Sequence, residues 1–291
     1  MAASTPHIDF PLKLSSTGVL TIDVIKLKKH LIEQLSCNQT EAFTLVDEIT
    51  SLVRSVKKSA LLTAARKAPH LVNVMLQSVA PNKRLRLIQI QAGGADGLYY
   101  IARYHLETYR QILQSVSSDA KRLQLLQMKD SLGYTVLHTA ATYSALKTAQ
   151  VILEYVSEEM RYTLLSMEDY TYWTPIHSAC REGNNPEVLE MMMRLITEEM
   201  RYKLLQLRDV YGDTPLHLSA LWGHTSGIRV IADSVSSQQL IHLLRITDDD
   251  GRTPLQLAAE ENKQAAVELL QEYQTKALID VALQQTEQSG K

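Results

Sequence analysis

The sequence predicts an all-α fold in which short helices are stacked as repeats, and three observations lead to this prediction. First, the stretch from Asp209 to His224 has the pattern of a turn followed by a helix. Thr214 suits its N-cap, Pro215 its first helical position and Gly223 the left-handed residue past its end. Second, near-copies of this stretch recur before and after it. Third, apolar residues between the copies keep the three- and four-residue spacing of amphipathic helices.

The copies share the frame D-x-x-G-x-T-P-L-H and lie at a nearly constant spacing. They begin at Asp130, Asp169, Asp209 and Asp248, which sets the repeat length at 39 or 40 residues. Self-similarity at such a period is typical of stacked repeat arrays. The T-P-L-H sequence and the paired small residues that follow it resemble the ankyrin repeat, whose usual period is about 33 residues. The resemblance covers residues 130–270 and implies an ankyrin-type helical solenoid with lengthened repeats.

The additional residues of each repeat, about six or seven more than in an ordinary ankyrin repeat, fall in one place. They form the segments 156–165 and 196–205. Ser157 and Thr197 in these segments suit N-caps, and the paired glutamates behind them face a positive helix end. We therefore expect a third short helix in each repeat.

Taken in order, the chain begins with a predicted flexible tail over residues 1–18, which contain proline, serine and glycine but little apolar periodicity. A pair of amphipathic helices over residues 19–56 is expected to cap the array. The array itself is predicted over residues 57–283, and its first two units match the frame weakly. Its last unit ends in a closing helix over residues 272–283, and a frayed tail follows over residues 284–291. The six units span 57–91, 92–129, 130–168, 169–208, 209–247 and 248–283.

Charge is distributed unevenly along the chain. The formal net charge is −2, but residues 1–129 carry +8 and the remainder carries −10. Either these charges are solvated surface, or the two parts have different partners or contact each other head to tail. The two cysteines, Cys37 and Cys180, show no bridge pattern, and no secretory or membrane-spanning segment is recognisable. We therefore expect a cytoplasmic or nuclear protein.

The histidines of the frame could suggest a metal site, but their spacing argues against one. His138, His177 and His217 lie a full repeat apart, so stacking separates neighbours by roughly 8 to 10 Å, whereas two ligands of one ion lie roughly 4 Å apart. The resemblance implies instead that each histidine anchors its turn by hydrogen bonds near the helix start. Neither the glycines of residues 93–97 nor the aspartates of residues 248–250 complete a phosphate or calcium motif. We expect no catalytic residue, no cofactor and no metal.

The resemblance also implies which side chains bind a partner: those at the turn tips and just after the paired small residues, which project from the concave side. Both tryptophans and several tyrosines fall at these positions, and these residue types are over-represented in binding hot spots. Trp173 and Trp222 are expected to be partly exposed on one side and dispensable for folding. The alternative is that some of these side chains pack on neighbouring loops. The predicted protein-binding residues are Tyr104, Tyr134, Tyr143, Tyr170, Trp173, Arg181, Glu182, Tyr211, Asp213, Trp222 and Arg252.

These patterns predict a non-catalytic interaction module, a scaffold or adaptor that binds another protein on its concave face. No small-molecule substrate and no membrane are expected. Nucleic acid is disfavoured because no known nucleic-acid motif frames the basic residues. The alternative is a regulatory or targeting subunit whose basic N-terminal part contacts nucleic acid or an acidic partner.

Overall fold

The computed structural model describes residues 10–16, 19–55, 60–91, 94–116, 118–183 and 186–289. Within these ranges the chain forms two short strands and nineteen helices, so the predicted all-α class is confirmed. The chain divides into two compact units, of which the first ends at Met128 and the second begins at Lys129. No helix of the described ranges combines the length and the apolar character that a bilayer crossing requires.

The first unit opens with a β-hairpin that the sequence did not predict. Strand β1, Leu12–Leu14, pairs antiparallel with strand β2, Leu20–Ile22. Leu12 and Leu20 are buried, and the amide of Leu12 donates a hydrogen bond to the carbonyl of Ser78. The prediction of a flexible tail over residues 1–18 is therefore wrong for residues 12–14, because burial of these leucines holds the strand. Residues 1–9 and 17–18 lie outside the described residues.

Two helices follow, α1 at Val24–Gln34 and α2 at Gln39–Ser55, and they pack against each other as the sequence predicted. Asp23 caps α1 through a hydrogen bond from the amide of Lys26. Each of the two weakly matching repeats then forms three helices. In the first repeat these are α3 (Ala60–Lys67), α4 (His70–Gln77) and α5 (Pro81–Gln91), and in the second α6 (Gly94–Tyr104), α7 (Leu106–Ser115) and α8 (Asp119–Leu126).

The second unit contains the four well-matched repeats, and their first helices, α9, α12, α15 and α18, pack consecutively against one another. The predicted third helix is present in each of the first three of these repeats. The helices are α9 (Val136–Thr142), α10 (Leu146–Glu154), α11 (Glu158–Leu165), α12 (Pro175–Glu182), α13 (Pro186–Arg194), α14 (Glu198–Leu205), α15 (Pro215–Trp222), α16 (Thr225–Asp233), α17 (Ser237–Arg245), α18 (Pro254–Glu260) and α19 (Gln264–Ser289).

The last helix corrects the prediction for the C-terminal end. Helix α19 runs without a break through the expected closing helix and through residues 284–289, which were predicted to fray. The physical reason lies in its composition, since neither glycine nor proline occurs between Gln264 and Ser289. Residues 290 and 291 lie outside the described residues.

A half-buried arginine fixes the third helix of two repeats of the second unit. Arg201 of α14 donates from Nε to the carbonyl of Met193 (2.7 Å) and from Nη1 to the carbonyl of Ser234 in the next repeat (3.3 Å). Arg161 of α11 makes the equivalent bonds to the carbonyls of Leu153 (2.9 Å) and Leu195 (3.2 Å). The last carbonyls of a helix have no partner within it, and these arginines supply one.

In the first unit, the arginine at the same position of the third helix binds a carbonyl of its own repeat. Arg84 donates to the carbonyl of Val79 (3.3 Å), and Arg122 donates to that of Val116 (3.2 Å). An arginine therefore occurs at the same position of the third helix in four repeats. This recurrence is visible in the sequence and could have revealed the role of the arginine.

Candidate protein-binding surface

Each turn of the second unit is organised by the aspartate that opens the repeat frame. In one turn, Oδ1 of Asp169 accepts hydrogen bonds from the amides of Thr171 (2.7 Å) and Trp173 (3.0 Å). Asp130, Asp209 and Asp248 accept the equivalent pairs of bonds in their own turns. The same side chain therefore fixes the same turn four times, which gives the turn tips a common geometry.

The frame histidines anchor these turns, and the bonds of His138 and His217 also reach the next repeat. In each, Nδ1 accepts a hydrogen bond from the amide of the N-cap threonine at 3.2 Å. Because Nδ1 accepts, the proton is on Nε2, which donates. In His138 it donates to the carbonyl of Trp173 (2.9 Å), in His177 to that of Leu207 (3.2 Å), and in His217 to that of Arg252 (3.1 Å). The expected anchoring role is confirmed.

Burial keeps these imidazoles neutral. It lowers the pKa of His138 and His217, and it lowers the pKa of His177 to about 4. Among the described residues, no group of three or more histidine, cysteine, aspartate or glutamate side chains is placed to hold a metal ion.

Neighbouring turn tips are joined by backbone hydrogen bonds. The amide of Tyr170 donates to the carbonyl of Leu132 (3.4 Å), that of Val210 to Thr171 (3.2 Å), and that of Asp249 to Tyr211 (3.1 Å). The four tips therefore lie side by side in one row. Leu132, Tyr170, Val210 and Tyr211 present exposed apolar side chains along it.

One tip has a backbone conformation that its residue type disfavours. Gly133, Gly212 and Gly251 occupy the same turn position with φ between +78° and +85°, whereas the second repeat has Tyr172 there with φ +60°. A left-handed conformation strains a residue with a side chain. Strain of this kind is commonly retained at functional positions. Tyr172, which is 54% exposed, therefore joins the candidate surface although it is not among the residues predicted from the repeat pattern.

The ends of the first helices continue this surface. The guanidinium carbon of Arg181, at the end of α12, lies 5.0 Å from the ring centroid of Trp173 and 5.8 Å from that of Trp222. Trp222 is 48% exposed, and Trp173 is half-buried. Arg181, Glu182, Trp222 and His224 line a pocket of about 280 Å³. Arg181 therefore connects a turn tip with the helix end of the following repeat.

The structure places nine of the eleven predicted binding residues at the turns and first-helix ends of the second unit, whereas two differ from the prediction. Tyr104 belongs to the first unit, where its ring lies 4.9 Å from that of Tyr100. Asp213 is buried, with 7% of its surface exposed, instead of projecting outward. Of the others, four are exposed aromatic residues, Arg181 is exposed, and four are half-buried. The exposed aromatic residues are Tyr143, Tyr170, Tyr211 and Trp222, and the half-buried residues are Tyr134, Trp173, Glu182 and Arg252.

The environment of Asp213 explains why this residue is buried instead of projecting outward. Its turn is followed by the turn of the last repeat, and Asp209, Asp248 and Arg252 lie close enough to act on its charge. Its Oδ1 is buried and has no hydrogen-bond partner among the described residues. Burial, followed by the charges of Asp209 and Asp248, raises the pKa of Asp213 to about 7, against the opposing effect of Arg252.

We define the recognition face as the exposed and half-exposed side chains of the turn tips and first-helix ends of the second unit. Its apolar part comprises Leu132, Tyr143, Tyr170, Tyr172, Trp173, Val210, Tyr211 and Trp222, with Arg181 among them.

Comparison with known proteins agrees with this geometry. Residues 157–240 match the family model described as ankyrin repeats in three copies. No curated protein matches the chain. The matched segment begins at Ser157 and ends within α17, and the same aspartate-centred turn and N-cap geometry occur on both sides of it. Residues 157–240 of this chain therefore carry ankyrin repeats.

Proposed function

We propose that the chain is a non-catalytic scaffold or adaptor that binds another protein through the recognition face. Ankyrin repeats generally mediate protein–protein interactions, and the matched segment spans the centre of this face. The observation that carries the proposal is the placement of Arg181 against both Trp173 and Trp222. Arginine, tryptophan and tyrosine are the residue types most enriched in binding hot spots.

The face is also arranged to bind without a large ordering penalty. The turns are fixed by the aspartates and histidines, and the tips are hydrogen-bonded to one another. Aromatic side chains expose a large area with few rotatable bonds, so less conformational entropy is lost when they are buried against a partner. Exposed apolar side chains gathered in one row are typical of an interaction surface.

The experiment compares three forms of the full chain as baits in extracts of the source cells: the wild type, the double variant Tyr211→Ala/Trp222→Ala, and Leu283→Ala. Leu283 is 58% exposed on α19, which contributes no residue to the recognition face, and serves as the control. We expect a protein that is retained by the wild type and the control but lost from the double variant. Trp222→Ala alone should weaken the binding of that partner about 30-fold or more in calorimetry, since truncation of a hot-spot residue costs about 2 kcal/mol.

The proposal fails if the double variant, with unchanged circular dichroism, retains every protein that the wild type retains. Such a result would place binding elsewhere on the chain and leave the exposed aromatic residues without a role in it.

A further inference from the structure

The turns of the last two repeats, which adjoin the recognition face, are rich in carboxylates. We call this cluster the acidic end and define it as Asp209, Asp213, Asp248, Asp249 and Asp250. Asp209, Asp213 and Asp248 are buried, whereas Asp249 and Asp250 are exposed. The residues from 130 to the C-terminus together carry a formal charge of −10, so a partner with positive charge is electrostatically favoured here.

Two arginines of the chain already pair with three of these carboxylates. Arg252 binds Asp248 through Nε and Asp250 through Nη2, both at 2.8 Å. Arg208 binds Asp249 at 2.9 Å. These three aspartates therefore have cationic partners within the chain.

Asp209 is engaged as well, although by a different set of donors. Its Oδ1 accepts hydrogen bonds from the amides of Tyr211 and Asp213, and its Oδ2 accepts one from the indole of Trp173. Asp213 is the exception, because its buried Oδ1 has no partner among the described residues. Its carboxyl group lies among the other carboxylates of the acidic end, which act on its charge.

The turn itself does not require a carboxylate at this position. The equivalent residue of the other repeats is Tyr134, Trp173 or Arg252, and all of them belong to turns with the same hydrogen bonds. A buried carboxyl oxygen without a partner destabilises the folded state. A residue that the turn does not need and that lacks a partner is explained most directly by a ligand that pairs with it.

We propose that the acidic end binds a lysine or arginine side chain of the partner protein, with Asp213 as the anchor. This inference rests on the proposed function and specifies the chemistry of the partner. The partner segment would place apolar residues against Tyr211 and Trp222 and a basic residue against Asp213. Because Oδ1 of Asp213 is itself buried, the cation would approach the small part of this residue that is exposed, 7% of its surface. A charge-assisted hydrogen bond to the carboxyl group there is stronger than a neutral one.

Binding of a cation to Asp213 should depend on pH. Asp209 of its own turn, together with Asp248 and Asp249 of the next, disfavours its charged form, Arg252 favours it, and the His177 ring of the preceding repeat contacts its backbone. Because the pKa of Asp213 is raised to about 7, the carboxyl is mostly protonated at pH 6 and mostly ionised at pH 8. A lysine or arginine binds the ionised form, so affinity should rise by up to about tenfold over this interval.

The test selects phage-displayed random peptides of twelve residues on the immobilised full chain. A selected peptide is then synthesised, and its affinity is measured at pH 6 and pH 8 for the wild type, Asp213→Asn and Glu190→Gln. Glu190 is exposed on α13, a second helix outside the turns, so its variant removes the same charge elsewhere. We expect peptides rich in lysine or arginine, a loss of tenfold or more in Asp213→Asn at pH 8, and no pH dependence in that variant.

Two results would overturn the inference in different ways. If the selected peptides lack basic residues, or bind Asp213→Asn as tightly as the wild type, the acidic end does not receive a cation, although the chain still binds peptides. If the wild type retains no peptide while Asp213→Asn is folded and equally inactive, the proposed function fails together with the inference.

Discussion

The indole Nε1 of Trp173 donates a hydrogen bond to Oδ2 of Asp209 in the following repeat, at a distance of 2.8 Å. Asp209 holds its own turn through Oδ1, so this bond joins two consecutive turns through one carboxylate. The sequence had suggested that both tryptophans are dispensable for folding. The structure distinguishes them, because Trp173 is half-buried and hydrogen-bonded whereas Trp222 is 48% exposed.

We predict that Trp173→Phe lowers the free energy of unfolding of the second unit by about 1 to 3 kcal/mol, the usual consequence of leaving a buried polar group without its partner. The phenyl ring preserves the contact with Arg181, so the hydrogen bond is the main loss. The chain has two tryptophans, and both lie in the second unit. Each variant therefore keeps one tryptophan whose fluorescence reports urea unfolding of that unit.

Trp222→Phe is the matched control and should change the unfolding free energy only slightly, because its ring is about half exposed. Equal losses in the two variants would contradict the distinction between a structural and a contact tryptophan.

The repeats were predictable from sequence because their signals are local. Thr214, Pro215 and Gly223 mark the two ends of a helix by their local chemistry, and Thr197 marks the start of an additional helix by the same side-chain cap. The hairpin at Leu12–Leu14 gave no comparable signal, since a strand of three residues is held by burial and by a bond to Ser78 that is remote in sequence.

The same reasoning explains which site residues were placed wrongly. The burial of Asp213 depends on the next turn, which carries Asp248 and Arg252, and repeat position alone does not reveal that contact. Tyr172 was overlooked for the opposite reason. Its exposure follows from its place at the tip, but its left-handed backbone is visible in the sequence only as the absence of the expected glycine.

The pKa of His177 predicts a pH-dependent contribution to stability. Its pKa is about 4 in the folded protein and is expected near 6.5 when the chain is unfolded. The stabilisation is therefore complete above pH 6.5 and is lost as the pH falls towards 4, by up to about 3 kcal/mol.

His177→Gln tests this sign, since the last repeat keeps the same N-cap bond with Gln256 in place of histidine. The variant should be less stable than the wild type at pH 7, and the difference should shrink between pH 6.5 and pH 4 in urea unfolding followed by fluorescence. A difference that stays constant over this range would show that His177 does not titrate on unfolding.

The bonds of the third-helix arginine predict that its replacement by lysine destabilises the protein. Arg201→Lys retains the charge but loses the fork that reaches Met193 and Ser234 at once. We expect the free energy of unfolding to fall by about 1 to 3 kcal/mol. Lys203→Ala is the control on the same helix, and because its ion pair with Glu199 is exposed it should have little effect. A lysine variant as stable as the wild type would show that these carbonyls do not need the guanidinium.

Asp213→Asn should stabilise the protein although it removes a charged residue from the candidate surface. The pKa of Asp213 is about 7 in the folded protein and near 3.9 in an unfolded chain. Ionisation therefore favours the unfolded state, and the resulting destabilisation begins near pH 4, grows as the pH rises, and is complete above pH 7. At pH 8 the asparagine variant should be more stable by about 2 to 4 kcal/mol, and near pH 4 the two proteins should unfold at nearly the same urea concentration.

This gain in stability should accompany the loss of affinity expected for basic peptides. A residue that destabilises the fold and strengthens binding is the pattern expected of a functional position, because selection retains a strained group only where function uses it. Urea unfolding at pH 4 and pH 8 measures the first effect, and calorimetry with the selected peptide measures the second. An asparagine variant that is less stable at pH 8 would mean that the carboxylate of Asp213 contributes to folding through Arg252, and its role as an anchor for a partner would lose its structural basis.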